Sequence, residues 1–187
     1  MKNLLIATVL LGAVLSAFFV FNQRRPLLSG AGEMRQYVRD DISFSYPAYY
    51  FVEEKDEENT TRSHHSITLT EDTEENKAMR EGLAPGREGP TAIVIDIFQN
   101  DLDHMTAKDW IVKMPRSNYA LSPDSILTAR TVGAIKGFEY RWSGLYEARA
   151  VVVVNDYFVY SLTATYLTPE DLILKDFETI LESVKFE

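Results

Sequence analysis

Residues 4–21, LLIATVLLGAVLSAFFVF, run for eighteen positions without a charge and with hardly a polar side chain. At about 1.5 Å rise per residue a helix of this length reaches roughly 27 Å, close to the roughly 30 Å hydrocarbon core of a bilayer. A helix that is apolar on every side has no face to turn towards water. The run therefore predicts a transmembrane segment rather than a core helix. Lys2 precedes it, and Asn22, Gln23, Arg24, Arg25 and Pro26 follow it. A signal peptidase cut needs small residues behind a short apolar stretch. Leu15-Ser16-Ala17 opens on a large residue and is followed by more apolar chain at Phe18–Phe21, whereas Ser29-Gly30-Ala31 lies beyond the arginine pair. The pattern favours an uncleaved signal anchor over 1–25, a linker over 26–35 and one folded domain over 36–187.

The charge balance differs sharply between these parts. The first 26 residues hold three of the 19 basic residues and none of the 28 acidic ones, which leaves 16 bases against 28 acids, a formal −12, for the remainder. A body so acidic repels nucleic acid and anionic headgroups at long range. The chain has no cysteine, which excludes disulfides, thiolate metal sites and a cysteine nucleophile. Aromatic residues make up 12% and fall mostly within strand-like patterns, as a packed core requires.

Period-two alternation marks Ile42–Tyr46 as a half-buried strand ended by Pro47, with a second short strand over Tyr49–Val52. Glu53–Thr61 opens on six charged residues and predicts a turn, after which Ser66–Thr70 returns as a hairpin partner. Residues 71–90 are polar, with glycines and prolines in the second half; a short helix fits only over 73–80. Thr91–Phe98 is nearly continuous β-branched and apolar, the pattern of a central strand. Thr106 stands three residues before Asp109 as an N-cap, and Pro115 closes that helix; 116–133 has the composition of a loop. Phe138, Tyr140 and Trp142 alternate on one strand. Asn155-Asp156 predicts a two-residue turn that would set Val153 opposite Phe158 and Val151 opposite Tyr160. Thr168-Pro169 predicts a helix start, and Ile173, Phe177, Ile180, Leu181 and Val184 form one apolar stripe. Strands outnumber helices and hairpins outnumber crossovers, so the fold class is α+β with a mainly antiparallel sheet and helices packed on its faces.

Four segments carry a family resemblance: Phe44-Ser45-Tyr46-Pro47, Gly137-Phe138-Glu139-Tyr140, the hairpin ending at Tyr166, and the closing block Phe177–Phe186. From about residue 40 onward the chain resembles the PsbP-like superfamily. The resemblance implies a central antiparallel sheet, a final helix followed by a short terminal strand, and an accessory or binding role. That superfamily includes an extrinsic photosystem II subunit, Ran-binding proteins and bacterial exported domains. Tyr49 and Tyr50 stand where a tryptophan often follows the Tyr-Pro pair, and no functional residue carries over.

Candidate chemistry is sparse. Asp101, Asp103 and His104 place three possible metal ligands within four residues, like the start of a calcium loop but without its glycine or distal glutamate. His64 and His65 are adjacent, so on a strand they point to opposite faces; one of them with Glu53, Glu54 or Asp56 would be a second cation candidate. The alternative for both histidines is an exposed position at a loop edge. There is no Gly-x-Ser-x-Gly elbow and no phosphate loop, since the glycines of 82–89 lack a following Lys-Ser or Lys-Thr. No cofactor is implied. Lys2 against Arg24 and Arg25 is nearly a tie for the positive-inside rule, and the size of the folded part together with the likeness to exported domains places that part outside. The expectation is a single-pass cell-membrane protein, held in the lipid bilayer by residues 4–21, whose extracytoplasmic domain binds an envelope protein partner and no nucleic acid. An acid-based hydrolase and a divalent-cation module are the rival expectations.

Overall fold

The structure, a computed structural model, describes residues 32–57, 62–84, 86 and 88–186. The apolar segment 4–21, the linker up to residue 31 and the tip of the charged turn at 58–61 lie outside the described residues. Among the described residues no helix is long and apolar enough to cross a membrane.

Among the described residues, ten strands and three α-helices follow one another in the order β1 (Met34–Arg39), β2 (Ile42–Pro47), β3 (Tyr50–Glu57), β4 (His64–Glu71), α1 (Glu74–Arg80), β5 (Ile93–Gln99), α2 (Ala107–Lys113), β6 (Thr128–Val132), β7 (Ile135–Ser143), β8 (Glu147–Val154), β9 (Phe158–Tyr166), α3 (Leu172–Ser183) and β10 (Lys185–Phe186). β3-β4-β5-β9-β8-β7-β6 form one seven-stranded sheet, and β1-β2-β10 form a smaller one. Every pairing is antiparallel. The fold class is α+β, as the alternation of apolar residues implies.

Alternation assigns each strand's residues to one of two faces. Ile67 and Leu69 on β4, Ile93, Ile95 and Ile97 on β5, and Leu162 on β9 turn towards α3 and the small sheet, where they meet Phe44, Phe177, Ile180 and Leu181. The helix lays its whole predicted stripe there: Ile173, Phe177, Ile180, Leu181 and Val184 are all buried. Between them Asp176 is buried and accepts hydrogen bonds from the Tyr49 hydroxyl at 2.5 Å and the Tyr50 hydroxyl at 2.9 Å. Burial, followed by the carboxylate alongside, raises both phenol pKa values far above the ordinary tyrosine value. The opposite face carries Phe98, Tyr140, Ala150, Val152 and Val159, and is covered by the shorter α2 through Trp110 and Ile111.

Several local expectations change. β3 runs on through Glu53–Glu57, which charge had marked as a turn; β3 is an edge strand, where charged side chains face solvent and discourage further pairing. β6 lies within the stretch whose composition suggested a loop, and pairs with β7 across a two-residue turn in which Gly133 takes φ +55°. The β8–β9 hairpin sets Val153 opposite Tyr160 and Val151 opposite Leu162, two residues from the expected register. Asn155 causes the shift: its side-chain oxygen accepts from the Tyr157 and Phe158 amides at 2.9 and 2.7 Å, giving a longer, Asx-type turn. An even shift keeps every side chain on its face, so the apolar surface survives. Residues 168–171 form a turn ahead of α3 rather than its first coil, because the Asp171 carboxylate accepts from the Leu167 and Thr168 amides at 2.8 and 3.1 Å.

Candidate ligand-binding cleft

The less covered face of the large sheet leaves a cleft of about 570 Å³ between β4, β5, the 100–105 turn and the end of α2. Its floor is set by strand register. His64 opens β4 opposite Glu57 on β3 and Phe98 on β5. The imidazole stacks on Phe98 with ring centroids 4.2 Å apart and 9° between planes, and is buried. Asp96, two residues before Phe98 and on the same face, takes the other side of the ring at 2.8 Å from Nε2. Glu57 Oε2 lies 3.3 Å from Nδ1. A histidine held between two carboxylates is fixed in orientation whichever nitrogen carries the proton.

Two guanidinium groups stand beside this histidine. Arg116 donates from Nη2 to Glu57 at 2.8 Å, and its Nη1 is 3.4 Å from His64 Nδ1. It sits on the 3-10 turn Pro115–Ser117 that follows α2. The buried Ser117 hydroxyl pins that turn by donating to the carbonyls of Ile111 at 2.7 Å and Met114 at 2.8 Å. Arg62 donates to the Gln99 carbonyl at 2.9 Å, pairs with Asp103, and lies over the Trp110 ring at 5.6 Å. Asn100 shapes the intervening turn: its side chain bonds both the amide and the carbonyl of Met105, at 2.9 and 3.1 Å, which presents Leu102 and Asp103 at the lip. Trp110, only 1% exposed, lines the wall, and its indole N–H is buried without an acceptor. Leu102, Met105 and Met114 supply the remaining apolar lining.

Arg116, and after it His64, hold the Glu57 carboxyl down to about 2. A depressed carboxyl stabilises the fold above its unfolded value of 4.5 and loses that contribution as pH falls towards 2. Glu57→Gln is therefore expected to be less stable than the parent at neutral pH, with the gap closing across this acid range. Urea unfolding of both proteins at stepped pH checks this; a gap independent of pH would contradict it.

The two histidines do point to opposite faces, but neither is exposed. His65, on the side of α3, has Nδ1 2.7 Å from Asp56 Oδ1 and Nε2 3.4 Å from Glu54 Oε2. Glu53 belongs to the other face, so the acids named beside the histidines divide between two locations. Of the sequence-derived metal ligands, Asp103 is engaged by Arg62, while Asp101 and His104 are exposed, the latter at φ +44°. His104 borders a separate hollow of about 390 Å³ with Lys108, Lys136 and Asp156. Among the described residues no three His, Asp or Glu side chains are grouped to hold a metal ion.

Asp96, Glu57, Arg62, Arg116 and Trp110 were not singled out in the sequence. Asp96 had a readable signal, as the one charge inside the apolar run TAIVIDIF, where an ionised group needs a partner. The two arginines had none, because they reach the cleft from loops 54 residues apart in the chain. No family model matches this chain, and no curated protein matches it.

Proposed function

We propose that this protein is a membrane-tethered extracytoplasmic binding domain of the PsbP-like kind, which serves another component of the envelope through the Arg62–His64–Arg116 cleft. The observation that carries the reading is the cleft itself: a concave, largely apolar space with a few convergent polar groups is the usual form of a small-ligand site. The α3–β10 ending and the antiparallel sheets support the family likeness. His64 spends its ring nitrogens on Asp96, Glu57 and Arg116 and turns neither towards a hydroxyl nucleophile. The tether rests on residues 4–21.

Fractionation of cells producing the whole chain tests the placement. The full-length protein is expected in carbonate-washed membranes, with its folded part digested by protease added to intact cells. Full-length chain in the soluble fraction, or a domain protected until lysis, would overturn it.

A further inference from the structure

We propose that the cleft takes a small carboxylate with an apolar body, and that Asp103 occupies the guanidinium position of Arg62 that the ligand's carboxylate would use. This rests on reading the cleft as a binding site and goes on to name what it binds.

The side chains of Arg62 and Arg116 both border the space. Donors of this kind call for an acceptor-rich anion, and a planar guanidinium matches a carboxylate in particular. The other walls, Phe98, Leu102, Met105 and Met114, offer nothing to a polar body and suit an alkyl or aryl one.

The carboxylate partner of Arg62 is exchangeable. The Asp103 side chain is 41% exposed and belongs to the lip turn, whereas Arg62 beneath it is 10% exposed and anchored by the Gln99 carbonyl. An ion pair with so much solvent access contributes little. An incoming carboxylate can therefore displace Asp103 by a side-chain rotation while Arg62 stays in place. Glu57, by contrast, is the less exposed partner of Arg116 and also holds His64, so it stays in place.

The test uses the full chain in lipid nanodiscs carrying Trp142→Phe, which leaves Trp110 as the sole tryptophan reporter. Fluorescence is titrated with 3-phenylpropionate and, in separate arms, with 3-phenylpropylamine and 3-phenylpropanol. Saturable change with the carboxylate, at least about tenfold tighter than with either control, is expected. Arg62→Met is expected to weaken carboxylate binding about tenfold or more, and Asp103→Asn to tighten it severalfold by removing the internal competitor. Should Arg62→Met fail to fold, Asp103→Asn decides alone, since a merely structural Asp103 would not raise affinity when removed. Equal or tighter binding of the amine or alcohol would overturn the carboxylate assignment while leaving the cleft a binding site. No saturable signal from any of the three, in the parent or in Asp103→Asn, would overturn the proposal.

Discussion

Gly137→Ala is expected to be the most damaging single methyl in the described part of this protein, removing at least about 3 kcal/mol of stability and blocking accumulation of folded protein. Gly137 sits in β7, between Arg130 of β6 and Val153 of β8. A Cβ built there would lie 2.0 Å from the Val152 carbonyl oxygen and 2.8 Å from Val153 Cγ1. The first neighbour is backbone, and both valines are fully buried. Relief would require β7 to move away from β8, which breaks the ladder supporting Tyr140 and the α2 side of the core. Gly144→Ala is the matched control. Its added methyl meets only the Trp142 ring edge at 3.3 Å, and a change within about 0.5 kcal/mol is expected. Urea denaturation followed by circular dichroism checks both. A folded Gly137→Ala with the parent's midpoint would show that the β7–β8 ladder is not packed as described.

Phe177→Ala is expected to cost about 3–5 kcal/mol. The ring is fully buried at the centre of the α3 stripe, with the Arg149 guanidinium 5.8 Å from its centroid. That arginine is itself committed, donating twice to Glu139 at 2.8 and 2.7 Å and pairing with Glu178 of α3. The network fixes the helix over the sheet, so the surroundings cannot collapse into the space a missing ring leaves. Lys175→Ala, on the exposed side of the same helix, is expected to change stability by less than about 0.5 kcal/mol. A Phe177→Ala loss as small as that of Lys175→Ala would contradict the placement of α3.

The sequence was most informative where hydrophobic pattern alone decides the outcome. The α3 stripe, the central strand β5, the Thr106 cap and the α2 stop at Pro115 all follow from spacing and cap chemistry: the Thr106 hydroxyl accepts from the Asp109 amide at 3.1 Å. Pattern failed where a local polar group or a strand's place in the sheet decided instead. Charges at Glu53–Glu57 signal a turn only if the strand has neighbours on both sides, and β3 does not. Asn155 and Asp171 each redirect backbone amides into turns that residue type alone did not specify. The cleft was the least legible part, because His64, Asp96 and the two arginines become neighbours only through β3–β4–β5 register and two loops. His64 and His65 read as surface residues from their polar surroundings, whereas carboxylates on each face let both be buried.

The central claim is that this cleft, and not some other part of the surface, meets the ligand. A photoreactive amino acid at Leu102, the exposed lip residue, tests it most directly in the full chain, with Leu83 and Leu167 as similarly exposed comparisons outside the cleft lining. Illumination in producing cells followed by intact-mass measurement is expected to give one small adduct of defined mass from position 102, diminished by Arg62→Met, and none from 83 or 167. The same adducts from all three positions, or none at 102 while another site reacts, would contradict it.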